Sequence, residues 1–327
     1  MIQEKAKSII KQAVERGVTD LYLQGSLTHY DLYFRNLNSK VFTEELALET
    51  GLALIAHFKF CAGMNVGEKR RTQLGACWYQ FGTESRRLRL SSVGDFEGNE
   101  SLVIRFLHEP KEQLEFWFEA EKLFKQMNFR RGLYLFAGPV GSGKTSLMTN
   151  WANRAFDSGQ VMTVEDPVEI VVSKFVQLQV NDLIGNDYEA LIKLSLRHRP
   201  DLLIVGEIRD EKTARAVLRA SLTGYTVFST IHAPSISAVW TRLLEFGISE
   251  WELKSCLQAV VYQRLINGKG MVEIAKEGFE HWSHEKWNWQ IEELVTQGAL
   301  DRDEGEREKI APSQTGETHP THGKSIE

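Results

Sequence analysis

The sequence predicts an α/β protein in which a domain built on a mostly parallel sheet follows a smaller α+β domain. Three observations carry this expectation. From residue 114 onward, short solid apolar runs alternate with stretches of helical spacing, as strands do when helices bury both faces of a sheet. Four of those runs end in glycine, carboxylate or histidine, which places polar groups along one edge of that sheet. Before residue 107, strand-like and helical segments are mixed without regular alternation.

The elements follow in order. Ile2, Ala6, Ile9, Ile10, Ala13 and Val14 recur at helical spacing, and Gly17 ends the pattern. Strands are expected at Asp20–Gln24 and Asp31–Arg35, a helix around Glu44–His57, and strands near Ala76–Phe81, Arg86–Ser91 and Ser101–Phe106. This gives an N-terminal domain over 1–107. Residues 108–113 read as a linker, because Pro110 removes an N–H and charges crowd around it. The second domain spans 114–290. Residues 291–327 form a polar tail that is expected to be disordered from about 301, since Asp301-Arg-Asp-Glu-Gly-Glu-Arg-Glu308 has no apolar side chain to bury. No internal repeat is visible.

The chemistry starts at 138–145. Gly138, Pro139, Val140, Gly141, Ser142, Gly143, Lys144 and Thr145 form a complete phosphate-binding loop, with Ser146 opening the helix behind it. Gly132–Ala137 reads as the strand before the loop and Ser146–Ala155 as the helix after it, the context this motif requires. The glycines let backbone N–H groups wrap a phosphate at the positive end of the helix. Lys144 then reaches the β and γ phosphates of ATP, and the Thr145 hydroxyl ligates Mg2+.

Three further strand ends complete the site. Asp201-Leu-Leu-Ile-Val-Gly-Glu207 delivers the Glu207 carboxylate toward the metal and the attacking water. Val161–Val164 runs into Glu165, Asp166, Pro167 and Glu169, where proline restrains the turn and the acids polarise a water or hold the metal. Taken alone, either segment is equally well a solvated acidic turn. Thr226–Ile231 ends in His232, which reads as a γ-phosphate sensor beside the loop and as a structural histidine without it. One ligand site explains all four strand ends together. His281, His284, Trp282, Trp287 and Trp289 read better as a packed amphipathic segment than as a metal or stacking site.

Bulk properties exclude other classes. The 327 residues are 42% hydrophobic and 25% charged, with net charge −5, so no electrostatic footprint for direct nucleic-acid binding exists. Cys61, Cys77 and Cys256 are isolated, giving neither a disulfide framework nor a Cys-x-x-Cys start to a zinc site, and zinc is not expected. No apolar run approaches the ~18 residues of a membrane span, and the N-terminus is a charged amphipathic helix rather than a secretory signal, so a cytoplasmic location is expected.

On these residues the chain resembles the type II secretion and type IV pilus ATPase family. The resemblance rests on the loop at 138–145, the acidic box Val164-Glu-Asp-Pro-Val-Glu169, the segment Leu196-Arg-His-Arg-Pro-Asp-Leu-Leu-Ile-Val-Gly-Glu-Ile-Arg-Asp210, and the box Leu222-Thr-Gly-Tyr-Thr-Val-Phe-Ser-Thr-Ile-His232. Val261-Tyr-Gln-Arg-Leu265 also fits. Similarity runs from about residue 15 to 267. It implies a PAS-like N-terminal domain, a RecA-like P-loop domain and a homo-hexameric ring. It also implies catalytic roles for Glu207 and Glu165, with arginines of the N-terminal domain reaching the triphosphate. Arg89 and Arg105 match that last role.

The chain departs from the family at Tyr225, where a first histidine is usual, which removes or replaces one polar sensor. It also lacks the tetracysteine zinc module and the long N-terminal extension of many members, and so most resembles the competence ATPases of Gram-positive bacteria. The implied activity is ATP hydrolysis driving assembly of a DNA-uptake pseudopilus, at the cytoplasmic face of the membrane, with a polytopic inner-membrane platform protein as partner and prepilins as indirect partners. Alternatives are a pilus-retraction or type II secretion ATPase, a DNA-translocating motor, and a nucleotide-binding scaffold that does not hydrolyse.

Overall fold

The computed structural model describes residues 2–36, 39–107, 114–181 and 184–311. The chain divides into two compact units, Met1–Glu109 and Pro110–Glu327. The expected linker at 108–113 lies outside the described residues.

The first unit is an antiparallel sheet backed by two helices. Its elements are α1 (Ile2–Glu15), β1 (Asp20–Gly25), β2 (His29–Asn36), β3 (Ser39–Ala47), α2 (Leu48–Cys61), β4 (Gln73–Phe81), β5 (Glu84–Gly94) and β6 (Glu100–Phe106). The strand order is β3-β2-β1-β6-β5-β4. Alternation sets the layers: Leu21, Leu23, Leu88, Leu90, Leu102 and Ile104 join Ile9 and Ile10 of α1 and Leu54, Ile55 and Phe58 of α2 in one core. Lys59 and Glu100 form a fully desolvated pair at 2.5 Å, and the Lys59 ammonium also donates to the Glu68 carbonyl.

The helix expected around Glu44–His57 is corrected. Residues up to Ala47 belong to β3, which pairs with β2 from Asn36↔Ser39 to His29↔Ala47, and the helix runs from Leu48 to Cys61. Hairpin pairing with a neighbouring strand outweighs the helix preference of Glu44-Glu-Leu-Ala47.

The second unit is built on a seven-stranded sheet of order β13-β12-β7-β11-β10-β8-β9. After a short helix α3 (Ala120–Lys125), the chain runs through β7 (Gly132–Gly138), α4 (Lys144–Ala155), β8 (Val161–Glu165), β9 (Val176–Gln179), α5 (Tyr188–Arg197) and β10 (Leu202–Glu207). It continues through α6 (Glu211–Leu222), β11 (Thr226–His232), α7 (Ile236–Glu245), α8 (Glu250–Cys256), β12 (Leu257–Ile266) and β13 (Lys269–Ala275). Every pairing is parallel except that of the edge strand β13 with β12. Both faces are covered. Leu133, Leu135, Leu203 and Val205 enter one core, while their neighbours Tyr134, Phe136, Leu202 and Ile204 enter the other.

The tail also requires correction. α9 (Glu285–Thr296) runs through the expected boundary at 290, and α10 (Arg302–Glu308) is helical where disorder was expected. Asp301 and Glu304 make a reciprocal capping box, and Ile310 is buried beside Trp287, Ile291 and Leu294. A polar segment is thus held by capping, by one apolar anchor and by main-chain hydrogen bonds to a neighbouring helix, none of which composition records. Residues 312–327 lie outside the described residues.

Candidate nucleotide-binding site

β7 enters the loop between its parallel neighbours β11 and β12, so the loop stands in mid-sheet beyond the carboxyl ends of the strands. Two glycines are dictated by geometry. A Cβ at Gly138 would lie 2.2 Å from the Gln263 carbonyl of β12, and Gly143 caps α4 at φ +80°, a left-handed conformation. Ser142 Oγ of the loop and Gln263 Oε1 of β12 are buried without a hydrogen-bond partner among the described residues.

Lys144 is only 6% exposed. Its ammonium donates to the carbonyls of Gly138 (3.1 Å) and Pro139 (2.7 Å) and lies 3.3 Å from His232 Nδ1. Burial pulls its pKa down to about 8, against the opposing pull of Glu207 and Glu169. His232 Nε2 lies 3.0 Å from Glu207 Oε1, and Arg209 Nε donates to Glu207 Oε2 at 2.6 Å. Burial, followed by the neighbouring Lys144, lowers the His232 pKa and favours the neutral ring. A neutral ring that accepts from Lys144 at Nδ1 donates through Nε2 to Glu207. Lys144, His232 and Glu207 therefore form one polar chain across β7, β11 and β10.

Glu165 ends β8 next to Gly206, where a Cβ would lie 3.3 Å from the Glu165 Cα. Its carboxylate, 7% exposed, accepts from Thr163 Oγ1 at 2.6 Å and from Gln177 Nε2 at 3.2 Å. Burial raises its pKa against those hydrogen bonds, which suits a group that takes up a proton. Asp210 is structural: its side chain caps α6 by accepting from Thr213 N at 2.7 Å.

The structure brings the loop, Lys144, Thr145, Glu165, Glu207 and His232 to one edge of one sheet. Arg89 and Arg105 belong to the other unit, where they stand directly opposite each other on β5 and β6. Arg105 Nε donates to Asp20 Oδ1 at 2.7 Å; Asp20, buried at the start of β1, was missed by sequence reasoning. Tyr225 is not at the nucleotide edge. It precedes β11, its carbonyl accepts from Gly132 N, and its hydroxyl donates to the Leu196 carbonyl at 2.9 Å. The seven residues of β11 put it roughly 20 Å from His232, so it replaces no sensor within this unit. A larger cleft of about 760 Å³, lined in part by Arg131, Arg199 and Tyr225, lies at that opposite edge, away from the carboxylates and the loop.

His284 Nδ1 lies 2.8 Å from Glu273 Oε2 in a buried pair, and Trp287 is buried while Trp289 is exposed. Sequence reasoning missed Gln263 beneath the loop and Arg264 beside it, although Val261–Leu265 carried the signal.

A mostly parallel sheet with a phosphate loop after one central strand, and carboxylates ending two other strands at the same edge, defines a RecA-like P-loop domain, here preceded by an α+β unit. The chain belongs to the Type II/IV secretion system protein family, whose family model matches residues 1–291. It is 54% identical to the competence protein ComGA of Streptococcus pneumoniae, over 96% of this chain and 100% of that one. It is 32% identical to the competence protein ComGA of Bacillus subtilis, over 81% and 76% of the two chains. The crystal structure of the pilus retraction motor PilT with bound ADP shares the fold, with a TM-score of 0.72 at 22% identity over 94% of this chain and 97% of that one. Among the described residues no helix is long and apolar enough to cross a membrane.

Proposed function

We propose that this protein is an ATPase that hydrolyses ATP with Mg2+ to drive assembly of a competence type IV pilus-like structure for DNA uptake. In this reading it works as a homo-hexamer at the cytoplasmic face of the membrane, with a polytopic platform protein as its partner and prepilins as indirect partners. The observation that carries the hydrolytic reading is the Lys144–His232–Glu207 chain, which joins the phosphate loop after β7, through β11, to a carboxylate two strands along the sheet. The extent of similarity to the ComGA of Streptococcus pneumoniae supports the competence assignment over retraction or secretion.

The residues present suit the nucleotide and its metal. Among the described residues, the buried Lys144 ammonium is hydrogen-bonded to two carbonyls and a neutral ring, so it gains from an arriving phosphate. The Thr145 hydroxyl and the Glu207 carboxylate are hard oxygen donors of the kind magnesium takes. Bound magnesium would neutralise phosphate charge as the γ-phosphate leaves. The chain's own part is assigned as follows: the backbone of 138–146 holds the phosphates, and Lys144 turns from its carbonyls to the β and γ oxygens. Glu207, oriented by His232 and Arg209, aligns the attacking water. Glu165, with its raised pKa, accepts a proton. Arg89 and Arg105 neutralise developing charge.

Phosphate release by the wild type, Lys144→Ala and Glu207→Gln tests this. Lys144→Ala should lose both binding and turnover, while Glu207→Gln should bind ATP and turn it over at least about 10²-fold more slowly. Wild-type turnover in Glu207→Gln would remove the carboxylate from the mechanism. Absence of turnover in the wild type with ATP still bound would favour the scaffold.

A further inference from the structure

Beyond the loop, a second cation with its own anion faces the same site. Arg264 of β12 is 16% exposed along its side chain. Its NH1 donates to the Glu308 carbonyl at 3.1 Å and to Glu308 Oε2 at 2.9 Å, and its Nε donates to the Tyr262 hydroxyl at 2.8 Å. Glu308 ends α10, the helix that returns the C-terminal segment to the sheet. Trp287 Nε1 donates to the same Glu308 carbonyl at 2.9 Å, and Asn288 exchanges two hydrogen bonds with the main chain of Ile310. Arg264 and Glu308 line a cavity of about 290 Å³ together with Pro139, Val140, Gly141 and Ser142 of the phosphate loop.

A guanidinium presents the same fork of donors to a carboxylate as to a phosphate. Here one oxygen of the Glu308 carboxylate accepts from NH1, while NH2 donates to the Pro234 carbonyl at 3.5 Å, so Glu308 is the anion that neutralises the guanidinium. A nucleotide entering the loop brings further negative charge against one guanidinium in a small cavity. Two anions there repel, and only one pairs well with Arg264. We propose that Arg264 is a further nucleotide-positioning residue and that Glu308, at the end of a C-terminal strap, is an internal anion competing with nucleotide phosphate for it. The inference rests on the reading of 138–146 as the nucleotide site. Because coupling is reciprocal, nucleotide loosens the strap by the same factor by which the strap weakens nucleotide binding.

Glu308→Gln isolates the charge, since its main-chain carbonyl still receives Trp287 and Arg264. The Kd for MgATP should tighten by about fivefold or more, the lower end of ordinary coupling between sites. Glu308→Asp, which keeps the charge, should stay nearer wild type, and Arg264→Gln should weaken binding. In the wild type, saturating MgATP should speed amide exchange across 302–308. A Glu308→Gln Kd within about twofold of wild type, with thermal stability retained, overturns the competition; unchanged protection of α10 on ATP saturation overturns the release of the strap. Either result with normal wild-type ATP binding leaves the nucleotide site standing, whereas a wild type that binds no ATP refutes both.

Discussion

Raising the pH from about 7 to about 9 should weaken ATP binding roughly tenfold through Lys144 alone. Burial sets the Lys144 pKa at about 8. A phosphate within reach restores the ammonium's preference for its charged form, so the bound-state pKa lies well above the free one. The free site must therefore be protonated for tight binding. Its protonated fraction falls from about 0.9 near pH 7 to about 0.1 near pH 9, a factor of ten or about 1.4 kcal/mol in affinity. The sign for folding runs the other way: the unfolded lysine holds its proton up to its ordinary value of 10.5. The unfolded chain therefore binds more protons between the two pKa values, and this residue's unfavourable contribution to stability is relieved as pH rises from about 8 toward 10.5. Calorimetric titration with a non-hydrolysable ATP analogue and Mg2+ near pH 9, in two buffers of different ionisation enthalpy, reads the linkage directly. About 0.9 proton should be taken up per nucleotide. Binding without proton uptake and with equal Kd at both pH values would overturn this prediction, because the ammonium would then be fully charged near pH 9 before nucleotide arrives.

Two further outcomes concern the arginines and the tail. Arg89→Ala and Arg105→Ala should each lower ATP turnover by about 10³-fold with little change in nucleotide Kd, as expected of groups that act on the transition state; wild-type turnover in both would remove the pair from the mechanism. Since Arg105→Ala leaves the buried Asp20 without its 2.7 Å partner, a thermal melt of that variant must accompany the assay, and a loss of fold there makes Arg89→Ala the deciding measurement. Ile310→Ala should destabilise the second unit by about 2 kcal/mol in denaturant melts, because the side chain is buried in the same apolar core as Trp287, Ile291 and Leu294; an unchanged midpoint would mean that the segment after α9 contributes no packing.

The α/β class, the phosphate loop and the strand ends that share its edge are legible in the chain alone. Those features are local: glycines at fixed spacing, solid apolar runs, and polar residues directly after them in the chain. It also marked Glu165, Glu207 and His232, because each directly follows or closely trails a buried strand. Which of the polar groups meet depends on the order of the strands in the sheet. Lys144, His232 and Glu207 are far apart in sequence and touch because β7, β11 and β10 are neighbours in a parallel order that no local pattern encodes. Tyr225, by contrast, stands at the opposite end of β11 from His232 because seven extended residues span roughly 20 Å, a separation that the motif's own spacing already contained. The misread segments share one cause. Residues up to Ala47 have the composition of a helix and became a strand because β2 offered a pairing edge, and Asp301–Glu308 has the composition of a disordered tail and folded because Arg264, Trp287 and Asn288 offered partners. Composition measures what a segment does in water, whereas a fold also supplies surfaces against which a polar segment satisfies its hydrogen bonds and buries a single anchor.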